Sequence, residues 1–549
     1  MLGWSAIGSS VNLRGKPGAN PAPSPIRFAL GRLPFQLETD ETFLPHAPAT
    51  MAGGVAVFDY NNDGWPDIFF ANGANIQTLK KDSPRYSNRL FRNHRGEFTD
   101  VTTEAGLDGS GYDSGVAVGD YDNDGFPDLF VAGVHRSTLY HNNGDGTFTD
   151  VTAKAGLGNW TDPEFGPLWS VTGAWVDVNN DGLLDLFVVN YLQWDFKTEP
   201  LCGFATSYDY CTPRYYKGQP NRLFLNKGDG TFEDVSEAWG IRSHVGKGMG
   251  VAMADFDLDG RPDLFVTNDS YYNFLFHNVG HGFEEVAMQE GVALVSDGAF
   301  ISGMGNDFRD INNDGFPDIV FVALNNQTFP VFDNDHGHGF DDVTDSCGMR
   351  TLSMHMSGYG VGLYDFDNDG WKDMFVTCGN VERLAKPDAK VDQYNCVFRN
   401  LGASGHWQAL TAEAGLDASP PARHRGCAFG DFDGDGRIDV VTTALGRQPE
   451  IWMNRSDASG HWLAIRLEGT KSNHDGIGAM IKMATKGGHQ YNHMTSSCGY
   501  ASSSHGPVHF GLGSEKIAEE IEIRWPSGII QRLRNVTGDR AITVKEAPG

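Results

Sequence analysis

The sequence predicts an all-β protein, a seven-bladed β-propeller with a C-terminal β-sandwich-like domain, and three observations carry that expectation. A nine-residue pattern, D-x-[DN]-x-D-G-x-x-D, occurs seven times, starting at Asp59, Asp120, Asp177, Asp255, Asp310, Asp365 and Asp431. The starts lie 55 to 78 residues apart, too far for a solenoid coil and right for a four-stranded blade with its loops. Among the 549 residues are 69 Gly and 25 Pro, the composition of a chain that turns often between short strands.

Each pattern follows a strand of small residues, such as 115–119 (GVAVG), and precedes an apolar one, such as 129–132 (LFVA), so it forms the tip of a β-hairpin. A second half-repeat follows: 88–93 (NRLFRN) with 98–102 (FTDVT), and 221–226 (NRLFLN) with 232–236 (FEDVS). Further copies fall at 274–286, 331–343 and 397–410. Two strands per half give a four-stranded blade. The seventh repeat lacks its fourth strand, and residues 33–41 resemble one without a preceding hairpin, so they are expected to close the ring. The expected boundaries are 1–32 for an N-terminal extended segment, 33–459 for the propeller and 460–549 for the C-terminal domain.

Oxygen-bearing side chains stand at positions one, three, five and nine of every loop, with Gly at six. They are Asp59, Asn61, Asp63 and Asp67; Asp120, Asp122, Asp124 and Asp128; Asp177, Asn179, Asp181 and Asp185; Asp255, Asp257, Asp259 and Asp263; Asp310, Asn312, Asp314 and Asp318; Asp365, Asp367, Asp369 and Asp373; and Asp431, Asp433, Asp435 and Asp439. A hard cation such as Ca²⁺ takes six to eight oxygens, and Gly allows the turn that gathers them. Mg²⁺, which holds to octahedral geometry and keeps its water, fits less well. An EF-hand is excluded because its position-12 Glu is replaced by Phe70, Val131, Val188, Val266, Phe321, Val376 or Thr442. Up to seven structural Ca²⁺ are expected, since seven similar loops suit scaffolding better than catalysis.

These loops resemble the FG-GAP/VCBS repeats of integrin α-chain propellers and secreted bacterial proteins, a resemblance that implies Ca²⁺ held by the residues named above. After residue 460, segments 469–479 (GTKSNHDGIGA), 497–500 (SCGY), 509–513 (HFGLG) and 523–528 (IRWPSG) resemble the ASPIC/UnbV domain. Together the two parts look like bacterial relatives of cartilage acidic protein, a secreted calcium-binding matrix protein; its EGF-like extension has no counterpart here.

Lys and Arg number 42 against 71 Asp and Glu, a net charge of −29, which argues against nucleic acid and anionic membrane as partners. Hydrophobic residues at 40% exclude a disordered acidic tail. No apolar run is long enough to span a bilayer. The N-terminus lacks the pattern of a signal peptide, so either the protein is cytoplasmic or a leader is not part of this sequence. The cysteines favour the second: Cys202 and Cys211 bracket one short loop and Cys378 and Cys396 another, so two local disulfides are expected, with Cys347, Cys427 and Cys498 unpaired. Buried free thiols are the alternative. The expected location is secreted, periplasmic or at the cell surface.

The large insertions, 74–87, 158–170, 191–220 and 379–395, all fall on the propeller face opposite the metal loops. Trp160, Trp169, Trp194, Tyr208, Tyr215 and Tyr216 gather there as candidate ligand-binding aromatics for carbohydrate or protein, or as the core of a self-packed loop. No nucleophile elbow, P-loop or zinc signature appears. His336 with His338, and His489 with His493, have the spacing of metal-ligand pairs but no identifiable third ligand. Two functions remain: an extracytoplasmic calcium-binding module that binds carbohydrate or an extracellular protein, and a secreted carbohydrate-active lyase or dehydratase working on the insertion face. A pocket there rich in Lys, Arg, His and Tyr would favour the enzyme.

Overall fold

A computed structural model describes residues 24–204, 207–382, 390–456 and 460–548. Seven antiparallel sheets of the expected hairpin pairs follow one another. In the second blade the strands are Asp113–Gly119, Asp128–Gly133, Thr138–Asn142 and Phe148–Asp150, paired in chain order. The innermost strand of each sheet lies against that of the next, and His424–Gly430 of the last returns to Val55–Phe58 of the first. The chain is thus a β-propeller. Large side chains such as Trp175, Phe187 and Trp452 fill the spaces between sheets and are fully buried.

The strand that completes the seventh blade is Phe28–Arg32, antiparallel to Glu450–Asn454, with Phe28 opposite Asn454. The closing strand therefore precedes the expected 33–41. Within that stretch Leu33, Phe35 and Leu37 are buried, Leu33 and Phe35 in the seam between the first and last blades, which explains their fourth-strand look. Of the expected N-terminal segment, 1–23 lies outside the described residues and 28–32 belongs to the ring.

The C-terminal module is a pair of sheets. Val508–Gly513, His461–Glu468 and Arg540–Lys545 form one, and Gly488–His493, Met480–Thr485, Ile517–Arg524 and Ile530–Thr537 the other. Leu463, Ile465, Ile481, Ile521, Ile523 and Trp525 fill the space between them. Arg540–Lys545 carries little strand signal of its own. Only Val544 of it is buried, so its hydrophobic pattern is weak; parallel pairing to His461–Glu468 holds it instead.

Between the two sheets the module sends residues 496–504 down the propeller axis, every one of them buried. Ser503 and Ser504 pair in parallel with Ala56 and Val57 of the first blade. Val116 N–H donates to the Ala501 carbonyl at 3.1 Å, and Gly499 N–H donates to that of Asn306 at 2.6 Å. The Val118 and Phe429 amides donate to the Ser503 and Ser504 hydroxyls at 3.1 and 3.0 Å. Tyr500 crosses furthest, its ring edge-on to Tyr359 at 5.3 Å and its hydroxyl donating to the Met51 carbonyl at 2.5 Å. The inner strands admit this plug because they carry Gly where it passes. A Cβ at Gly54 would lie 2.5 Å from the Ala501 carbonyl, and one at Gly305 2.7 Å from Gly499.

Tyr500→Ala removes a fully buried aromatic from the axis and is expected to destabilise the protein by about 3–5 kcal/mol. Chemical denaturation followed by tryptophan fluorescence checks this, and an unchanged midpoint would show that the axial segment is not part of the core.

Candidate metal centres and their setting

The seven loops share one hydrogen-bond design. The position-one carboxylate accepts the Gly N–H of position six at 2.7–2.9 Å. Those glycines have φ between 82° and 101°, the left-handed region that Gly enters freely. In six loops the same carboxylate also accepts the N–H of position five, at 3.0–3.1 Å; in the fifth blade it accepts that of Asn313. The position-nine carboxylates, Asp67 among them, are all buried. One oxygen accepts the position-two N–H at 2.9–3.2 Å. The other accepts the N–H of an asparagine in the third strand, at 2.6–2.9 Å. A carboxylate oxygen has two acceptor sites, so each retains one for a cation, except the Asp263 oxygen that His277 also meets at 3.1 Å.

These carboxylates fit a divalent ion on chemical grounds. Asp120, Asp122 and Asp124 bring one oxygen each within 4.8 Å of the others, as do Asp255, Asp257 and Asp259. Burial pushes the Asp67 carboxyl up to about 8, Asp255 to about 7, and Asp177, Asp310 and Asp431 to about 6. A group so desolvated holds its proton more tightly, and a positive partner favours its ionised form. The loops differ in how far the protein supplies one. Arg399 lies on Asp367 and Asp369 at 2.7 and 2.8 Å, and Arg455 on Asp433 and Asp435 at 2.7 and 3.2 Å. His141 approaches Asp122 and Asp128, both at 3.3 Å, and His277 approaches Asp263 at 3.1 Å. In the third blade no basic side chain among the described residues lies within ion-pair distance of Asp177, Asp181 or Asp185.

The C-terminal module sits on this loop face. Asp475 accepts the Asp120 N–H at 2.8 Å, and His474 lies 3.1 Å from the Asp120 carboxylate while donating its own N–H to Asn123 at 2.7 Å. Lys372 donates to the Tyr491 carbonyl at 2.7 Å, Arg309 to Asn492 at 2.9 Å, and His509 pairs with the Gly436 carbonyl at 3.1 Å. Arg466 stands 3.6 Å from Asp59. Between module and loops lies a cavity of about 610 Å³.

Several expected residues are placed elsewhere. Trp160, Trp169, Trp194 and Tyr216 are buried. Trp169 packs edge-on against Tyr191 at 5.1 Å, and His46 contacts both Trp194 and Phe196, so these rings form the core of the insertion. Tyr208 is half-buried against Phe43, and Tyr215 is exposed, with Arg214 over its ring. Cys202 and Cys211 form a disulfide. Cys378 and Cys396 do not: the register sets Cys396 opposite Val376, two residues from Cys378, and both thiols are buried and free. Cys347, Cys427 and Cys498 are free as well. His493 is buried and paired with the Met253 carbonyl at 2.9 Å, whereas His489 and His336 are exposed.

Two features escaped the sequence reading. The position-four asparagines Asn62, Asn123, Asn180, Asn313 and Asn368 reach the position-six carbonyl of the following blade at 2.8–3.2 Å; five Asn in seven loops was the available signal. On the insertion face Tyr271, Tyr272 and Phe300 form an aromatic cluster with Tyr271 and Phe300 exposed and Tyr272 and Phe300 at 4.8 Å. Nothing in their spacing marks it.

The raised carboxyls give a pH dependence of definite sign. Asp67 titrates at about 8 when folded against an ordinary 3.8, so between those values the metal-free fold binds more protons than the unfolded chain and loses stability as pH rises. The chelated protein is therefore expected to melt at progressively lower temperature from about pH 5 to about pH 8, and divalent metal, which holds the carboxylates ionised, to abolish the trend. Scanning calorimetry at both ends with and without chelator tests it; a rising melting temperature in chelator would contradict it.

Comparison with known proteins agrees with this architecture. A family model described as FG-GAP-like repeat matches residues 59–131, 120–188, 210–266, 255–321 and 310–376, more than half of the chain. One described as ASPIC and UnbV matches 469–549. Cartilage acidic protein 1 of Xenopus tropicalis is 25% identical over 529 residues, covering 90% of this chain and 74% of that protein. The Homo sapiens protein of that name is 26% identical over 516 residues, covering 91% and 72%. Among solved structures, an Agrocybe aegerita lectin that recognises non-reducing terminal N-acetylglucosamine aligns with 72% of this chain and 87% of its own at 14% identity and a TM-score of 0.39. The chain belongs to the FG-GAP-like repeat family and carries an ASPIC/UnbV domain at its C-terminal end.

Proposed function

We propose that this chain is an extracytoplasmic, calcium-loaded propeller that serves as a binding or adhesion module for a carbohydrate or an extracellular protein. The observation that carries the metal is the third-blade loop, where Asp177 and Asp185 are buried with no basic neighbour among the described residues. Positions one, three, five and nine of each loop are the proposed ligands. Their number and their all-oxygen chemistry suit Ca²⁺ better than Mg²⁺. Bound Ca²⁺ supplies positive charge that lets several carboxylates share one small volume. The protein's own part is to fix the loop through the position-one and position-nine hydrogen bonds, so that positions three and five need little reordering to bind. Where Arg399 and Arg455 already neutralise the loop, affinity is expected to be lower. The Cys202–Cys211 disulfide supports an oxidising compartment. No helix is long and apolar enough to cross a membrane among the described residues. Binding is favoured over uronate lyase chemistry because the cavity at the open mouth has no Arg, Lys or His among the described residues that line it.

Asp181→Ala is expected to remove one calcium per chain and to lower the melting temperature in calcium by about 2–4 °C, with little change in chelator. Asp369→Ala, in the loop already occupied by Arg399, is expected to have the smaller effect on both. Metal analysis of the dialysed protein and melting curves with and without calcium measure this. A wild-type chain that retains no calcium and melts identically in both buffers would remove the metal from the proposal.

A further inference from the structure

The propeller has two mouths, and the C-terminal module covers only the one with the metal loops. At the other, segments of blades three to six and the short turn Pro48–Met51 enclose a cavity of about 320 Å³, within the range of about 300–1,000 Å³ typical of small-molecule sites. The axial plug fixes its floor from beneath, since Tyr500 donates to the Met51 carbonyl.

One wall is polar and largely pre-positioned. Asp269, 2% exposed, accepts the Tyr191 hydroxyl at 2.7 Å and the Ser270 hydroxyl at 3.1 Å. The Ser270 oxygen lies 3.0 Å from that of Ser302, whose N–H donates to the Gln327 side-chain carbonyl at 2.8 Å. Beside them the Asn325 carboxamide oxygen is buried and has no hydrogen-bond partner, while its backbone N–H is held by Ser357 at 3.1 Å. Ser270, Asn326 and Thr328, in the two loops that carry this wall, have φ of 56°, 67° and 63°. Left-handed backbone at a β-branched Thr is strained and persists only where its surroundings impose it. Leu192, Leu324 and Val381 make an apolar side.

We propose that this axial cavity is the binding site for one neutral sugar residue, with its hydroxyls received by Asn325, Ser270 and Ser302 and its apolar face laid against Leu192 and Val381. The inference rests on the carbohydrate reading given above and assigns it a place. A sugar hydroxyl both donates and accepts, and a wall of hydroxyl, carboxylate and carboxamide offers both partners. A buried carbonyl oxygen without a donor is unfavourable until a ligand hydroxyl supplies one. Charge selects among sugars: the Asp269 carboxylate stands in this wall and no Arg, Lys or His is among the described lining residues, so uronic acids and sulfated sugars are disfavoured. An extended peptide would need a groove, and this cavity is enclosed by blade loops.

The full, calcium-loaded chain is applied to an array of neutral, uronate-containing and sulfated glycans, and the affinity for bound neutral glycans is measured by calorimetry for wild type, Asn325→Leu and Asn325→Asp. The expected result is binding confined to neutral glycans, weakened about tenfold or more in Asn325→Leu and largely kept in Asn325→Asp, which retains an accepting oxygen, with melting temperatures unchanged. Neutral-glycan affinity unaltered in both variants would overturn this site while leaving carbohydrate binding to another face, such as the Tyr271–Phe300 cluster. Preference for uronate or sulfated glycans would overturn the assignment of ligand class. A folded, calcium-loaded wild type that binds no glycan would overturn both the site and the carbohydrate reading.

Discussion

In every blade the ninth loop position is a buried aspartate, and its two oxygens tie a hairpin together: one takes the N–H of position two, the other the N–H of an asparagine in strand three. That asparagine's carboxamide then donates to the position-two carbonyl of the preceding blade, at 2.7–3.0 Å in all seven blades, including from Asn93 back to Phe432 across the seam. The loop, the blade and the junction between blades thus share one polar node. Buried backbone groups must be satisfied, and a sheet edge in a propeller offers few partners at the loop end. The aspartate and asparagine supply them seven times over. The desolvation that raises the aspartate's proton affinity comes with this placement, so it follows from how the ring is joined.

The ring-forming features were the legible ones. Strand pairs, hairpin tips and the acidic oxygens could be read because the pattern repeats and because Asp, Gly and alternating apolar residues each have a local reason for their position. The strand-three asparagine was visible in 88–93 and 221–226 but without a role, since its partner lies in the neighbouring blade, 82 residues away for Asn142 and Tyr60. The closing strand was misplaced because Leu33, Phe35 and Leu37 are as apolar as a true edge strand, while only Leu37 pairs, through two backbone hydrogen bonds to Gly446 and Arg447. The insertion aromatics left a binding surface and a self-packed core both open, and they are mostly a core. Composition does not separate these two outcomes; the contacts of Trp169 and Trp194 do.

The two faces of the propeller are joined by the axial plug. The module that rests on the acidic loops through His474, Asp475, Lys372 and His509 also holds the plug, and the plug's Tyr500 supports the floor of the open mouth. The segment SCGY suits this role because Gly499 sits where φ is 73° and packs against Val361, while Tyr500 gives the length to cross. Loop order, module docking and the shape of the open mouth therefore form one mechanical unit, built from contacts that a sequence places in three separate regions.

That unit is uneven around the ring. The position-four asparagines bind five junctions, but Leu258 and Gly434 stand at that position in blades four and seven, so the junctions between blades four and five and between seven and one lack this second loop-end asparagine bond. Those are also places where the module reaches down. His493 takes the Met253 carbonyl and Asn492 takes Arg309 at the first; Arg466 faces Asp59 and His509 takes the Gly436 carbonyl near the second. The seam between blades seven and one is where the N-terminal strand closes the ring, with no continuous chain to hold the last inner strand against the first. A domain added beyond the last repeat is well placed to brace it. The net charge of −29 then has two consequences at once: clustered carboxylates that form candidate cation sites, and a loop face that draws the module's Arg466 and His474 onto Asp59 and Asp120.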